Sequence, residues 1–318
     1  MIKPYKLVPA LKNYIWGGNS LVSKYNIKSD FEKTAEAWLL SAHSDGVSDF
    51  EDGKSFIQWI KDNQKALGEK AGKFENFPML IKFIDACDNL SVQVHPDDEY
   101  ALKNEGEYGK TEMWYVADCT DDAFLYYGFN RDVSKEEFLK RIENNTVEEV
   151  LNCVKVKKGD TFFISAGTVH AIGAGNIICE IQQNSNTTYR VYDYDRRDKN
   201  GNARELHIEK AIDVSNRKKT NLFADNIEKS RNFIGYTETY LGGCEYFNVK
   251  KLEIETEAIL YTSRETFFSI VVLENECEIS LNGEKITAMK GNSIFIPASG
   301  EKMPFVIKGN TEVIISYL

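Results

Sequence analysis

Two side chains that can bind a metal ion lie two positions apart at the end of a predicted strand. Residues 77–98 read FPMLIKFIDACDNLSVQVHPDD, an apolar run that closes on Gln93 and His95 just before Pro96. Because alternate side chains of a strand point to the same face, Gln93 and His95 project together. An imidazole nitrogen and an amide oxygen are both ligands of divalent metal ions, so this pair predicts part of a metal site.

Two further strand-like segments supply the rest of a ligand set. Glu112 lies in KTEMWYV, and His170 lies in GTVHAIG. With Gln93 and His95 they offer two imidazoles, one carboxylate and one amide oxygen, which suit Zn²⁺ or another borderline first-row ion. A histidine before a proline is by itself more often a loop or core residue. The placement of all four residues in one β-rich region is what predicts a metal centre.

The elements that must position these residues are mostly strands. Segment 34–43 (TAEAWLLSAH) has the pattern of a strand buried on both faces, in which Glu36 needs a partner. From residue 154 the chain carries closely spaced strands with glycine-containing turns, as in a sandwich or barrel. Short helices are predicted from capping patterns and polarity at 55–67, 97–105 (as a helix or a loop), 134–152 (as two helices) and 206–214.

One β unit recurs in the second half of the chain. Residues 156–167 read VKKGDTFFISAG and residues 288–299 read AMKGNSIFIPAS, so Gly159 and Gly291 occupy equivalent places. The recurrence predicts two barrels. The first copy is followed at a fixed distance by His170, whereas a lysine holds that place after the second copy. We therefore expect the second barrel to be free of metal.

The overall composition is that of an acidic globular protein. The 318 residues hold 39 basic and 49 acidic side chains, a net charge of −10, and 42% of them are hydrophobic. This balance argues against a nucleic-acid or anionic-membrane partner, although convergent cations can still bind an anionic small substrate. No apolar run approaches the roughly 20 residues that span a bilayer. The six scattered cysteines are expected to be mostly buried free thiols, which predicts a cytoplasmic protein.

This β pattern resembles the cupin fold. The second cupin motif, which spaces two glycines and a metal-binding histidine, matches Gly159, Gly167 and His170. Two other positions depart from it, with Ser165 in place of a proline and Ala174 in place of an asparagine. The first motif's pair of histidines becomes the Gln-Val-His described above. The resemblance implies a mainly β chain of two cupin-type (jelly-roll) barrels, with short helices added to the first.

A charged segment that is poor in apolar residues marks the predicted boundary between the barrels. Residues 216–232 (NRKKTNLFADNIEKSRN) have the composition of a linker. We expect 1–232 to form a catalytic cupin domain with helical segments, and 233–318 to form a metal-free cupin-like barrel. The dipeptide Asn282-Gly283 predicts a tight hairpin within the second barrel.

A more specific resemblance points to one enzyme family. The segments quoted above, together with YIWGG, AEAW and NSNTTYRVYDYDR, resemble type I mannose-6-phosphate isomerases (phosphomannose isomerases), closely over residues 1–200. The chain is similar to the short bacterial form, which lacks a large helical insertion. The resemblance implies interconversion of mannose 6-phosphate and fructose 6-phosphate through a cis-enediol(ate). It also implies one Zn²⁺ per chain, or another divalent ion, on the residues matching Gln93, His95, Glu112 and His170.

The same resemblance implies roles for other side chains of the site. Arg190 matches the family's active-site arginine, and Lys82 and Lys110 match lysines that line the pocket. Glu180 is the candidate for the base that moves a proton between C1 and C2. We expect Arg190, Glu180 and Lys110 to act in catalysis. We expect Lys82, Ser91, Lys110 and Arg190 to bind the substrate, with the Ser91 hydroxyl on a phosphate oxygen or a sugar hydroxyl.

One departure from the family concerns the acid that partners the arginine. Long forms carry an aspartate four residues before it, where this chain has Asn186. Asp193 and Asp195 are the candidates to replace that acid beside Arg190.

Three alternatives to this function stay open on the sequence. They are a cupin with other metal chemistry such as a dioxygenase, an isomerase of another phosphosugar, and a non-enzymatic sugar-phosphate-binding or regulatory cupin. The glutamine ligand argues against the first, because dioxygenases prefer a histidine-rich iron shell. The intact ligand set with Arg190 argues against the last. The expected partner is a phosphosugar substrate, with no nucleic acid and no membrane, and the chain is expected to be a monomer or a dimer.

Overall fold

The computed structural model of this chain describes residues 2–197, 200–222 and 229–318. Within those ranges the chain is mainly β, as the sequence predicts, and its strands are gathered into facing sheets. No helix in this described part is long and apolar enough to cross a membrane. The polar stretch 195–202, whose composition predicts a loop, and the predicted linker 216–232 lie partly outside the described residues.

Two facing antiparallel sheets carry the predicted site residues. In spatial order, sheet 1 comprises the strands Thr161–Ile164, Glu112–Cys119, Asn176–Gln183, Met79–Ala86, Glu36–Leu40 and Ala10–Lys12. Sheet 2 comprises Leu151–Lys155, Phe124–Phe129, His170–Ile172, Val92–Val94 and Tyr189–Tyr192. Buried apolar side chains between the two sheets form one cluster, which includes Ile84, Trp114, Ile178, Leu125 and Ile172.

Two further antiparallel sheets form the other half of the molecule. Sheet 3 comprises Lys229–Phe233, Tyr236–Gly243, Asn248–Ile254, Thr311–Tyr317, Phe268–Glu274, Ser293–Ile296, Tyr5–Val8 and Asp49–Phe50. Sheet 4 comprises Glu257–Tyr261, Pro304–Lys308, Glu276–Leu281 and Glu284–Met289. Their facing sides enclose a second apolar cluster. A short ladder joins Ala42–His43 to Gly46–Val47.

Sheet 1 is covered on both faces, which explains its sequence. One face packs on sheet 2, and a large cluster joins the other face to sheet 3 through residues such as Phe83, Tyr115 and Phe295. The strands Met79–Ala86 and Asn176–Gln183 are consequently buried along their whole length. Strands buried on both faces are near-continuous apolar runs, so polar residues within them need buried partners.

The repeated β unit of the sequence corresponds to equivalent turns and strands. Gly159 and Gly291 have positive φ angles of 94° and 92°, which favour glycine, and each precedes a strand, Thr161–Ile164 and Ser293–Ile296. The mainly β prediction is confirmed, while the division into two closed barrels at residue 232 stays a prediction. The first strand, Tyr5–Val8, pairs with Ser293–Ile296 and so belongs to sheet 3.

The predicted helices are present, although 55–67 is divided into an α-helix and a 3₁₀ helix and Ser55 makes no side-chain cap. In the described part they are the α-helices Ser20–Tyr25, Phe56–Asp62, Asp98–Asn104, Lys135–Glu143 and Ile208–Val214, and the 3₁₀ helices Gln64–Leu67, Glu69–Lys73 and Val147–Val150. Ser134 caps its helix by accepting from the N–H of Glu137, as predicted. The second predicted helix of 134–152 is a 3₁₀ turn whose Thr146 makes no side-chain cap.

The prediction that most cysteines are buried is wrong, because Cys179 and Cys277 are buried and the other four free thiols are partly or fully exposed.

Candidate metal centre and active-site cavity

Neighbouring strands bring the predicted ligands to one place between sheets 1 and 2. Gln93 and His170 lie opposite each other in sheet 2, His95 follows the Val92–Val94 strand directly, and Glu112 begins a strand of sheet 1. One ligand atom from each of His95, Glu112 and His170 can be chosen so that all lie within 4.8 Å of one another. These three side chains are buried. The structure therefore brings the predicted cluster together.

Both histidines are oriented by backbone carbonyl groups. The Nδ1 atom of His95 lies 2.9 Å from the Thr187 carbonyl oxygen, and Nδ1 of His170 lies 2.9 Å from the Thr168 carbonyl oxygen. A carbonyl can only accept, so each Nδ1 carries the proton and donates it. The Nε2 lone pairs therefore face the cluster, as a metal-binding imidazole requires, and Lys110 Nζ lies 3.3 Å from Nε2 of His95.

Glu112 supplies a buried carboxylate oxygen that fits a bound cation. Its Oε1 atom lies 3.2 Å from Nε2 of His95 and 2.7 Å from the ammonium nitrogen of Lys110, yet it accepts no well-aligned hydrogen bond from the described residues. Its Oε2 atom accepts from the indole N–H of Trp114 at 3.0 Å. A buried carboxylate oxygen beside imidazole lone pairs is the donor set of a divalent-metal site.

The protonation states of these groups suit metal binding at neutral pH. Burial lowers the pKa of His95 to about 3 and also lowers the pKa of His170, so both imidazoles are neutral. Burial alone would raise the pKa of Glu112, but the Lys110 ammonium beside it holds that pKa well below its ordinary value. Gln93 lies beside this group, with its amide nitrogen 3.4 Å from Nε2 of His170, and its role as a fourth ligand through the amide oxygen stays a prediction.

A cavity of about 250 Å³ opens beside these ligands. It is lined by every residue that the sequence assigns to catalysis or substrate binding, together with the ligand Gln93: Lys82, Ser91, Gln93, Lys110, Glu180 and Arg190. Other lining residues were not predicted as site residues, and they include Tyr14, Trp16, Glu36, Asn186, Thr188 and Arg204. Cationic and anionic side chains thus share one small cavity.

Two rows of cross-strand neighbours form opposite walls of this cavity. In sheet 2, Gln93 lies between His170 and Arg190 on the adjacent strands. In sheet 1, Glu180 lies opposite Lys82 on one neighbouring strand and opposite Trp114 on the other. The β pairing therefore fixes the order of the metal ligands, the arginine and the candidate base without help from flexible loops.

Lys82 is paired with carboxylates inside the protein. It is 3% exposed, and its ammonium nitrogen lies 3.2 Å from Glu180 Oε2 and 3.8 Å from Glu36 Oε2. Glu36 in turn accepts from the indole N–H of Trp38 at 2.6 Å. Burial opposes the charge on Lys82, but the two carboxylates raise its pKa above the ordinary value, so this lysine stays protonated.

Arg190 is held by the backbone and not by the predicted acid. Its Nη1 atom donates to the carbonyl oxygen of Glu205 at 2.7 Å, and its buried Nε atom has no hydrogen-bond partner among the described residues. Asp193 accepts instead from Arg204, whose Nε lies 2.8 Å from its Oδ2, and from Arg196. No ion pair in the described part joins Arg190 to Asp193 or Asp195, so that expectation is wrong.

Residues missed by the sequence analysis come from loops and from a distant strand. Arg204 lies in a polar stretch with no fixed spacing to the ligands, and Asn186 was considered only as a departure from the family. The side chain of Asn186 donates to Asp45 at 2.7 Å. The signal that could have identified Glu36 was its charge within a strand predicted to be buried on both faces.

The fold and the site together are those of a metal-binding cupin. Two family models match the chain: "Phosphomannose isomerase type I, catalytic domain" over residues 5–121, and "Mannose-6-phosphate isomerase, cupin domain" over residues 236–318. Mannose-6-phosphate isomerase ManA of Bacillus subtilis is 40% identical over 328 residues, which cover 99% of each chain. This chain belongs to the type I mannose-6-phosphate isomerase family, as its sequence predicts, and it is an enzyme of the isomerase class.

Solved structures of this family share the fold. The crystal structure of the mannose 6-phosphate isomerase from Bacillus subtilis has a TM-score of 0.91 at 36% identity, and covers 99% of this chain and 100% of that chain. A mannose 6-phosphate isomerase solved with zinc bound has a TM-score of 0.78 at 18% identity over 99% of both chains.

Proposed function

We propose that this chain interconverts mannose 6-phosphate and fructose 6-phosphate, with one Zn²⁺ per chain held by Gln93, His95, Glu112 and His170. The observation that carries the proposal is the buried His95, Glu112 and His170 cluster at the edge of a cavity that holds both an acid–base candidate and several cations. When bound there, the ion would supply Lewis acidity toward the carbonyl and enediolate oxygens of the sugar.

Glu180 is the residue proposed to move the proton. The reaction removes a proton from one of the carbons C1 and C2 and delivers it to the other, with a cis-enediol(ate) between them. A single carboxylate on one side of the substrate can do both, because a cis-enediol(ate) presents both carbons on one face. Burial and the nearby Glu112 charge raise the pKa of Glu180, which brings it closer to the pH at which a base can accept and return a proton.

The cations of the cavity are proposed to stabilise charge and hold the substrate. Arg190 has an uncommitted Nε donor, and the negative charge that develops on the enediolate is the group that such a donor stabilises in an enclosed site. Lys110, beside Glu112, would hold a proton near the sugar oxygens. Lys82 and Ser91 would bind the substrate, with the Ser91 hydroxyl directed to a phosphate oxygen or a sugar hydroxyl.

The two predicted domains are proposed to have different roles, on the evidence of the sequence and the order of the sheets. Residues 1–232 would form the catalytic cupin domain, and residues 233–318 would form the metal-free barrel that supports it. The support would come through sheet 3, whose apolar face packs against sheet 1.

A coupled assay of the purified, metal-analysed protein on mannose 6-phosphate tests this function. We expect turnover that a chelator removes and that added Zn²⁺ restores. Stoichiometric metal without turnover on mannose 6-phosphate would overturn the proposed substrate. Turnover that survives complete removal of the metal would overturn the proposed cofactor.

A further inference from the structure

The carboxylate of Asp98 joins three separate segments next to the metal centre. One of its oxygens accepts hydrogen bonds from the backbone N–H of Gly109 at 2.7 Å and from the side-chain amide of Gln183 at 2.9 Å. Its other oxygen accepts from the hydroxyl of Tyr246. Asp98 opens the helix Asp98–Asn104, so these bonds are made from a fixed element of secondary structure.

Gln183 carries this constraint to the strand that begins at Glu112. Its side-chain oxygen accepts from the N–H of Thr111 at 2.8 Å, and its own N–H donates to the Thr111 carbonyl at 3.1 Å. Thr111 stands between Lys110 and Glu112, which face the metal centre. Gln183 is itself buried at the end of the strand that carries Glu180. One aspartate therefore braces the strand ends of two neighbouring site-bearing strands.

Gly109 allows this bracing because the chain passes against the start of the helix. A Cβ atom at Gly109 would lie 2.4 Å from the carbonyl carbon of Asp97 and 2.5 Å from the backbone nitrogen of Asp98. Such contacts with backbone atoms cannot be relieved by turning a side chain. The segment that leads to Lys110 is therefore seated directly on the helix, with its N–H aimed at the Asp98 carboxylate.

Tyr246 is the residue of the C-terminal part of the chain that binds the Asp98 carboxylate. It lies between the strands Tyr236–Gly243 and Asn248–Ile254 of sheet 3. Its ring centroid is 5.1 Å from that of Phe74 and 5.9 Å from that of Tyr108, so aromatic contacts hold the hydroxyl in position. A polar contact from sheet 3 thus reaches the bracing carboxylate itself.

We propose that Asp98 is a positioning residue for the metal centre, and that Tyr246 is the contact through which the C-terminal sheets hold it. The inference rests on the proposed function, because it concerns the alignment of Lys110 and Glu112 with His95. Asp98 serves donors from three segments with a charged carboxylate. An asparagine there removes the charge that strengthens the bonds from Gly109 and Gln183, and replaces the oxygen that accepts from Tyr246 with an NH₂ group. The Gly109 to Glu112 segment then shifts relative to the histidines, and the ligand set loses its alignment.

The test compares Asp98→Asn and Tyr246→Phe with wild type and with the control Asp97→Asn. Asp97 is the neighbouring carboxylate of the same helix end, but its side chain accepts from the N–H of Tyr100 and not from the site. Zn²⁺ dissociation constants are measured by competition with a chromophoric chelator, and Co²⁺ spectra report the ligand geometry. Outer residues that orient metal ligands typically contribute about 10- to 100-fold in affinity.

We expect about tenfold weaker Zn²⁺ binding and an altered Co²⁺ spectrum for Asp98→Asn, a smaller change of the same kind for Tyr246→Phe, and wild-type values for Asp97→Asn. In the double variant, Tyr246→Phe should add little to Asp98→Asn, because both act through one carboxylate. Lower thermal stability with unchanged affinity and spectra would overturn the inference alone. A wild-type chain that takes up neither ion would overturn the proposed metal centre, and this inference with it.

Discussion

Glu112 and Glu180 share one hydrogen-bond donor, the indole N–H of Trp114, which lies 3.0 Å from Oε2 of Glu112 and 2.9 Å from Oε1 of Glu180. Each carboxylate has its own lysine, Lys110 at 2.7 Å from Glu112 and Lys82 at 3.2 Å from Glu180. The pKa of Glu112 is nevertheless lowered and that of Glu180 is raised. Environments that separate the pKa values of two neighbouring carboxylates suit them to different roles, which supports the proposed metal ligand at Glu112 and the proposed proton carrier at Glu180.

Glu180→Gln tests the proton carrier. The amide keeps the size of the side chain but cannot accept a proton, so we expect kcat to fall by about 100- to 10,000-fold while metal content is unchanged. Glu36→Gln is the matched control, because it also removes a carboxylate next to Lys82 within the same cavity. Steady-state kinetics with metal analysis give the result. Near-normal turnover of Glu180→Gln, or an equal loss in Glu36→Gln, would remove Glu180 as the base.

His170→Ala tests the metal ligands, and His95→Ala is its counterpart. Each removes an imidazole whose Nε2 faces the cluster, so we expect metal content and turnover to be lost together while the protein stays folded. The loss of several kcal/mol of charge stabilisation corresponds to roughly 100- to 1000-fold in rate. Metal-stripped wild type, which keeps both imidazoles, is the control for folding by circular dichroism. A variant with one equivalent of Zn²⁺ and normal turnover would contradict the ligand assignment.

Arg190→Ala separates charge stabilisation from metal binding. Arg190 neighbours Gln93 across sheet 2 but is not itself a ligand, so metal content should stay at the wild-type value. We expect kcat to fall by about 100- to 1000-fold, as for loss of a donor to a developing oxyanion. Arg197→Ala is the control, since Arg197 is exposed and pairs with Asp195 away from the cavity. If Arg190→Ala turned over like wild type, its proposed role would be wrong.

The buried histidines predict how the metal-free protein responds to acid. The pKa of His95 is about 3 in the folded chain, against about 6.5 when unfolded, so below pH 6.5 the unfolded chain binds a proton that the folded chain does not. Proton uptake by the unfolded chain lowers the free energy of unfolding. This loss is absent above pH 6.5 and grows toward pH 3 by about 1.4 kcal/mol per pH unit.

Denaturant titrations of the metal-free protein between pH 8 and pH 5 measure this effect. His95→Gln is the matched control, because it keeps a polar side chain but cannot titrate. The free energy of unfolding of wild type should fall more steeply with acid than that of the variant below pH 6.5. Parallel curves would show that the His95 imidazole titrates normally in the folded chain.

Much of the site could be predicted because strands hold it. Gln93 and His95 share a strand face, and each further ligand lies in or beside a short β segment, so alternation and motif spacing were enough to group them. The charge of Lys82 within the apolar run MLIKFI likewise indicates a partner or a wet cavity, and Glu180 and Glu36 are its partners.

The features of the site that could not be predicted depend on backbone groups and loop positions, which leave no recognisable pattern of residue types in the sequence. The histidine orientations come from the carbonyl groups of Thr187 and Thr168, and every residue type has a carbonyl. Asp193 pairs with Arg204 because the loop that carries Arg204 passes the cavity. The sequence has no periodic pattern that predicts the path of this loop.

The pairing of the first strand with sheet 3 has a consequence for biosynthesis. Tyr5 is aligned with Phe295, which is 290 positions later in the chain (295 − 5). A nascent chain emerges from the ribosome in sequence order, and such a distant pairing cannot form until its second partner has been translated. Until residue 295 has emerged, the strand Tyr5–Val8 therefore lacks this neighbour, and the sheet on which sheet 1 rests is completed only after Thr311–Tyr317 has been translated.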